Sequence, residues 1–318
     1  MPQVITIGSC FVELGSPQPG VSVREARSLL KYASGAATIF AQGLRKLGIE
    51  VGIISKVGDD ELGCGILDHL TSLGIDISQI GVVSGQLTPI SLAWADGRGS
   101  KTFYFYRFPG HCDPLGELTR DDLREDYLAA CRVFDFGEGS IRNQSEREVA
   151  FHAARMARRL GRAVVYAPNL RLQAWAVAPS EVAAIQREAV ALCDLLLLND
   201  EEARFIAETQ DDGRAISALQ QLGSDGCTVV VTRGPGEITV AAGVTRVHLP
   251  SFAVPVVYDI GAGDTFHAGY VAAHLRGHDP ADCARHAAAA AAIKISASAS
   301  PDDLPTWEQV EQFLASRS

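Results

Sequence analysis

Apolar residues recur along this chain in two alternating rhythms. After Ser34-Gly35 they fall at Ala37, Phe40, Ala41, Leu44 and Leu47, the spacing of one helix face, and Gly48 closes the run. Val51-Gly52-Ile53-Ile54 is then apolar without a break, as a buried strand is. Ile66, Leu67, Leu70 and Leu73 mark a second helix ending at Gly74. Val149, Ala153, Met156, Ala157 and Leu160 mark another, followed by the strand Ala163-Val164-Val165-Tyr166. A helix over 182–192 leads to the strand Leu195–Leu198, and one over 216–222 leads to the strand Thr228–Val231. The N-terminus from Met1 to Gly8 reads as a first strand. Strands apolar on both faces and separated by amphipathic helices predict an α/β fold, a parallel sheet covered by helices on each side.

Two stretches break the rhythm. Phe11 to Leu30 contains Pro17, Pro19 and Gly20 and shows no clear helix until its end. Pro89 to Gly110 alternates through Ile90-Ser91-Leu92-Ala93-Trp94, turns at Asp96-Gly97-Arg98-Gly99 and resumes over 102–107, the pattern of a hairpin. With no repeat or linker between them and the rest, residues 1–318 read as one domain. Segments of about 11–31 and 89–111 form a small β lid inserted into it.

The 318 residues are 47% apolar, enough for a large core. A formal charge of −10, a pI near 5.3 and the absence of any Lys/Arg-rich run speak against a nucleic-acid partner. The seven cysteines are scattered, odd in number and without metal-ligand spacing, as buried reduced thiols of a cytoplasmic protein would be. No signal-peptide pattern opens the chain, and the apolar stretch from Ala287 to Ile295 is too short to span a bilayer. A cytoplasmic protein with no membrane or nucleic-acid partner is expected.

The segment from Val256 to Tyr270 carries the most chemistry. An extended run gives way to the turn Gly261-Ala262-Gly263, and a helical pattern starts at once behind it. The glycines let successive N–H groups converge, and the helix adds its positive end, which makes an anion site. Asp264 stands beside that site, where it would take a proton from a hydroxyl. The same residues also suit a plain turn with Asp264 as the helix cap. Asn199-Asp200-Glu201-Glu202 opens another helix, with Asn199 as its natural cap. Thr232-Arg233-Gly234-Pro235-Gly236 reads as a tight turn after a strand. Neither a Walker-type P-loop nor a Gly-x-Gly-x-x-Gly fingerprint is present.

The Gly261–Asp264 segment resembles the Gly-Ala-Gly-Asp signature of the ribokinase-like (PfkB) carbohydrate kinases. Other similarities follow in the family's order: Ser34-Gly35-Ala36, Val57 to Gly63, Asn199 to Glu202, Thr232 to Gly236 and Leu304-Pro305-Thr306-Trp307. The resemblance implies a three-layer sandwich with a mostly parallel central sheet and a small β lid. It implies ATP as donor, with Thr232, Gly234, Gly236, Asn199 and Gly263 near the nucleotide. Mg²⁺ would be held by Asn199 and Glu202 through water, and a monovalent cation is a further candidate. Asp264 would be the catalytic base, and the amides of Gly261, Ala262 and Gly263 would hold developing charge. The helix through Ala287 to Ile293 would lie along the adenine, or serve only helix packing.

On the acceptor side, Phe103 to Gly110 and Ala167-Pro168-Asn169-Leu170-Arg171 resemble segments of fructokinases and 2-keto-3-deoxygluconate kinases. They imply acceptor contacts from Gly35, Phe105, Arg107, Asn169 and Arg171 besides Asp264, with Phe105 and Arg107 on one strand face. In this family the lid often pairs two copies, so a homodimer is plausible. Several positions depart from the family pattern. Ile39 replaces a sugar-binding Asn, Ala167 replaces an Asp, Tyr258-Asp259 stands for Asp-Thr, Ser34 replaces a Gly, and Gly234-Pro235-Gly236 is one residue short. The expectation is an ATP-dependent kinase phosphorylating a primary hydroxyl of a small-molecule sugar, fructokinase-like. A sugar acid such as 2-keto-3-deoxygluconate is the alternative acceptor, since Arg107 and Arg171 would also hold a carboxylate. A non-catalytic sugar- or nucleotide-binding relative is the rival.

Overall fold

Unbroken apolar strands have two faces to hide, and the chain hides them in two separate cores. The computed structural model describes residues 1–16, 21–95, 101–106, 113–257, 259–297 and 303–317. The chain opens with β1 (Val4–Ile7), β2 (Phe11–Gly15), β3 (Leu30–Ser34), α1 (Ala36–Lys46), β4 (Val51–Gly58), α2 (Glu61–Ser72), β5 (Asp76–Val83), β6 (Ile90–Ala95) and β7 (Lys101–Tyr106). It continues through α3 (Glu125–Ala130), β8 (Val133–Gly137), α4 (Gln144–Arg159), β9 (Ala163–Ala167), α5 (Pro179–Val190), β10 (Leu195–Asn199), α6 (Asp200–Ile206), α7 (Asp212–Leu222) and β11 (Thr228–Thr232). The hairpin β12 (Glu237–Ala242) and β13 (Thr245–Pro250) precedes α8 (Ala262–Leu275), α9 (Pro280–Ala297) and α10 (Trp307–Ala315).

Nine strands form the main sheet in the order β13-β12-β11-β10-β9-β8-β1-β4-β5. From β11 to β5 all pairs are parallel, and the β12–β13 hairpin adds an antiparallel edge. Alternation along each strand divides its side chains between the cores. Phe134, Phe136, Tyr166, Leu196, Leu198 and Val231 pack on one side, under α4 and α5. Val133, Val165, Leu195, Leu197 and Val230 pack on the other, with Phe40 and Leu44 of α1 and Val271 of α8. The three-layer α/β sandwich expected from the apolar runs is therefore present.

A separate four-stranded sheet has the order β3-β2-β6-β7. The stretch that broke the helical rhythm after Phe11 supplies β2 and β3, and the alternating stretch supplies the β6–β7 hairpin in the register Ile90↔Tyr106 to Ala95↔Lys101. No helix closes the 11–30 stretch among its described residues, because Leu30 opens β3 and pairs with Gly15. The Asp96–Gly99 turn, Arg107 and Tyr258 lie outside the described residues. Several helices start before their first apolar marker, because caps and not apolar spacing set the start. Asp60 Oδ1 accepts the Gly63 amide at 2.7 Å and starts α2 at Glu61, and α5 starts on Pro179.

The alanine-rich α9 approaches α8 at backbone distance. A Cβ on Gly269 would lie 2.9 Å from Ala287 Cα and 3.2 Å from Ala290 Cβ, so the small residues on this face serve helix packing. The described cysteines are unpaired, five of them buried and Cys64 exposed. Among the described residues no helix is long and apolar enough to cross a membrane. Gly269→Val would wedge α8 from α9. We expect a loss of about 1–3 kcal/mol in urea unfolding, and an unchanged midpoint would show that the helices tolerate separation.

Candidate active site

The carboxyl ends of β1, β8, β9 and β10 meet at one edge of the main sheet, where an open parallel sheet leaves a crevice. A cavity of about 520 Å³ lies there. Thr6, Asp135 and His267 line its floor, and Phe103, Phe105 and Tyr106 of the second sheet contribute its opposite wall. Thr6 Oγ1 donates to Asp135 Oδ2 at 2.7 Å. His267 Nε2 approaches Asp135 Oδ1 at 3.0 Å, an ion-pair distance without hydrogen-bond alignment. The His267 ring stacks on Phe40 with centroids 4.0 Å apart.

The start of α8 forms one rim. Gly261 takes a left-handed conformation at φ 83° and occupies the N-cap position, so Asp264 is the third residue of the helix and not its cap. The first i→i−4 bond is Thr265 N to Gly261 O at 2.9 Å, so the Gly263 amide precedes the hydrogen-bond ladder of the helix. Ala262, expected to join the anion cradle, instead gives its amide to Asp259 O at 3.2 Å. Gly261, Gly263 and Asp264 line the cavity. Asn169 Nδ2 donates to Asp264 Oδ1 at 3.2 Å. From beneath, a Cβ on Gly261 would meet Ile39 Cγ2 and Lys294 Cε, each at 4.0 Å, and Lys294 is wholly buried.

Asn169 holds a left-handed backbone at φ 47°, unusual for a residue with a side chain. Two buried carboxylates hold it there. Glu202 Oε1 accepts the Leu170 amide at 2.7 Å and Glu138 Oε2 accepts the Arg171 amide at 3.1 Å. Burial pushes both carboxyls above the usual range, against the pull of those same amides. Glu138 is also held by Trp175 Nε1 at 2.5 Å and by Arg142 Nε at 3.4 Å. The second oxygen of Glu202 accepts the Asn199 amide at 3.0 Å, while Asn199 Oδ1 accepts the Glu202 amide at 2.8 Å. This is a complete capping box. Glu202, expected beside a metal ion, thus already has both oxygens on backbone amides, whereas Asn199 reaches the cavity edge. Arg171 also lines the cavity. Its Nη1 donates to Leu170 O at 3.1 Å, and its guanidinium lies 5.6 Å from the Phe103 ring centroid.

On the acceptor side Gly35 is required sterically. Its φ is 114°, and a Cβ there would lie 2.2 Å from Ser9 O. Phe105 lines the cavity and meets Phe11 edge-on at 5.7 Å. Glu13 and Asp113, like Asp135 and Glu138, were not anticipated. Asp113 lines the wall and accepts Ser9 Oγ at 2.9 Å. Glu13 of β2 is 4% exposed and accepts Ser34 Oγ at 3.3 Å. Burial first, and the charge of Asp264 second, push the Glu13 carboxyl up to about 7. Its only sequence signal is a carboxylate inside the otherwise apolar run Phe11-Val12-Glu13-Leu14.

Of the residues expected near a nucleotide, Asn199 and Gly263 line this cavity, and Thr232, Gly234 and Gly236 are not among its lining. Thr232 pairs with Asn199 at the adjacent strand ends. Gly234 has φ 53° and open space where a Cβ would be. The Gly236 amide closes the turn on Arg233 O at 2.8 Å, and Arg233 is braced by Asp212 through Nε and Nη2, both at 3.1 Å. Thr232 meets Asn199 at the strand ends, Asn199 and the α8 start share the cavity lining, and Gly234 is bare, so the region offers an open glycine and a helix start. These are features that fit a polyphosphate, and the oxygen donor of Asn199 fits a hydrated hard cation.

Residues 1–307 match the model of the pfkB family carbohydrate kinases. A 5-dehydro-2-deoxygluconokinase of Geobacillus thermodenitrificans is 27% identical over 319 residues, covering 98% of this chain and 92% of the relative. Fructokinase-2 of Oryza sativa subsp. japonica is 29% identical over 270 residues, covering 83% and 77%. The crystal structure of a fructokinase with bound ATP from Xylella fastidiosa superposes with a TM-score of 0.86 at 23% identity, covering 100% of this chain and 99% of that one.

Glu13 supplies a pH test of the cavity. Its carboxyl rises from 4.5 to about 7 in the fold, so the stability it contributes is full below pH 4.5 and lost as the pH passes 7. Glu13→Gln mimics the protonated form. In urea titrations it should match the parent near pH 4.5 and exceed it at pH 8 by up to about 3 kcal/mol. Equal pH slopes for the two proteins would mean that Glu13 is not desolvated.

Proposed function

The chain belongs to the pfkB family of carbohydrate kinases, and we propose that it transfers the γ-phosphate of ATP to a primary hydroxyl of a sugar held in the cavity under the second sheet. The observation that carries this reading is Asp264, held by Asn169 at the start of α8 and lining the cavity together with Gly261 and Gly263. The acceptor hydroxyl gives its proton to Asp264, its oxygen bonds to the γ-phosphorus, and the bond to the β–γ bridging oxygen breaks, releasing ADP. The Gly263 amide and the positive end of α8 hold the charge on the transferring group. Thr232, Gly234 and Gly236 would border the nucleotide. Asn199, with Glu202 behind it, would hold Mg²⁺ through water, and Mg²⁺ when bound neutralises polyphosphate charge. The second sheet acts as a lid that excludes water. Residues 1–318 then work as one domain.

A fructose-like ketose is the first acceptor. Glu13, Asp113 and Asp135 line the cavity, and carboxylates bond neutral polyols without charge conflict. A sugar acid is the second reading, favoured by Arg142 and Arg171 in the same wall and by the full-length similarity to a 5-dehydro-2-deoxygluconokinase. Tyr104 and Tyr106 of the second sheet are more than half exposed, which supports a homodimer through that sheet. A monomer in sedimentation equilibrium would remove that part of the reading.

The direct test is ADP release from Mg-ATP with fructose, 2-keto-3-deoxygluconate and 5-dehydro-2-deoxygluconate as acceptors. Asp264→Ala, with its circular dichroism unchanged, should cut turnover about 10²–10⁴-fold. Near-normal turnover in that variant, or no product from any acceptor in the parent, would sink the proposal.

A further inference from the structure

Helix α8 runs from the anion turn to the far side of the molecule, 14 residues or about 21 Å. There the chain turns through His278 into α9, and α10 packs alongside. His286 of α9 is buried, with its Nδ1 2.7 Å from Asp282 O one turn back. A carbonyl only accepts, so Nδ1 carries the proton, and the neutral ring presents its Nε2 lone pair. That lone pair faces Glu311 Oε1 of α10, another acceptor, at 3.2 Å. Two acceptors at this distance require a proton or a cation between them. The His278 ring lies 4.4 Å from the His286 ring, and one ligand atom from each of His278, His286 and Glu311 lies within 4.8 Å of the others. A third donor within 4.8 Å of both is superfluous for a shared proton and is what a metal ion uses.

We propose that His278, His286 and Glu311 bind a divalent transition-metal ion, with Zn²⁺ the best match, and that water completes its shell. Two imidazoles and a carboxylate are a borderline-soft donor set that suits zinc and not magnesium. At metal–ligand distances of 2.0–2.1 Å, tetrahedral ligand atoms stand about 3.3 Å apart, which the His286–Glu311 spacing meets. The half-buried His278 closes the remainder by side-chain rotation. The surroundings orient the ligands: the Asp282 carbonyl fixes the His286 tautomer, and the Trp307 ring stacks on His286 at 5.1 Å with planes 1° apart. Asp279 and Asp282 add negative charge at the start of α9. Arg276 is the facing cation, and its guanidinium is committed to Ala272 O at 2.9 Å and Leu47 O at 2.7 Å and lies 3.9 Å from the Trp307 centroid. The ion would clamp the α8–α9 turn to α10 at the pole opposite the transfer site.

The test titrates chelator-dialysed full-length protein with Zn²⁺ by calorimetry and tryptophan fluorescence, with Co²⁺ absorption as a report of tetrahedral coordination. Glu311→Gln and His278→Ala alter the two outer ligands and leave buried His286 in place, so both should fold. The expected result is one ion per chain, a saturable rise in Tm, and binding weakened at least about tenfold in each variant. No saturable binding in the parent would overturn the proposal. So would undiminished affinity in both folded variants, which would put the ion elsewhere, for instance in the carboxylate-lined cavity.

Discussion

Burying both faces of a parallel sheet leaves only its ends available for chemistry, and the rest of this molecule follows from that constraint. Seven parallel neighbours from β11 to β5 direct their carboxyl ends to one edge, with strands about 4.8 Å apart. Residues far apart in sequence, such as Asp135, Asn169 and Asn199, thereby arrive within one cavity without any local signal linking them. The helices follow the same logic. Those that cover the sheet begin near this edge, so α8 presents its positive end where an anion would lie. The second sheet exists because the edge has no other cover.

The loop from Asn169 to Arg171 shows what this arrangement costs. A left-handed backbone at Asn169 is unfavourable by about 1–3 kcal/mol, and two buried carboxylates must lose water to hold it. Charge-assisted bonds from Glu138 and Glu202 to consecutive amides offset both terms. The Asn169 side chain on this backbone donates to Asp264. Glu202 also closes the capping box of α6, so the strand end at Asn199 and the Asn169 loop share one carboxylate.

What the sequence revealed and what it concealed divide along the range of the interactions. The sheet was readable because unbroken apolar runs such as Leu195–Leu198 have few other destinations. The Gly261 turn and the start of α8 were readable because a turn and a helix start are contiguous in the chain. Glu13 was not, since one carboxylate in a strand looks like a solvent-facing position until the second sheet covers it. The Asp135–His267 pair and Lys294 were hidden in the same way, the pair brought together across 131 intervening residues and Lys294 placed inside an alanine-rich helix. The motif names Ala262 and Glu202 without saying that the Ala262 amide bonds Asp259 O and that both Glu202 oxygens accept backbone amides. The alanines of α9 admitted two readings, and the close approach of Gly269 to Ala287 accounts for the packing face.

Glu13 has one more implication. A carboxyl that titrates near neutrality within a ligand cavity makes occupancy a proton-linked event. A neutral polyol that donates to Glu13 favours the ionised carboxylate and expels a proton into the buffer. An anionic acceptor placed beside it favours the protonated acid and draws a proton in. The sign of the proton flux on binding, read from calorimetric heats in buffers of different ionisation enthalpy, therefore distinguishes the charge of the natural acceptor before any product has been made.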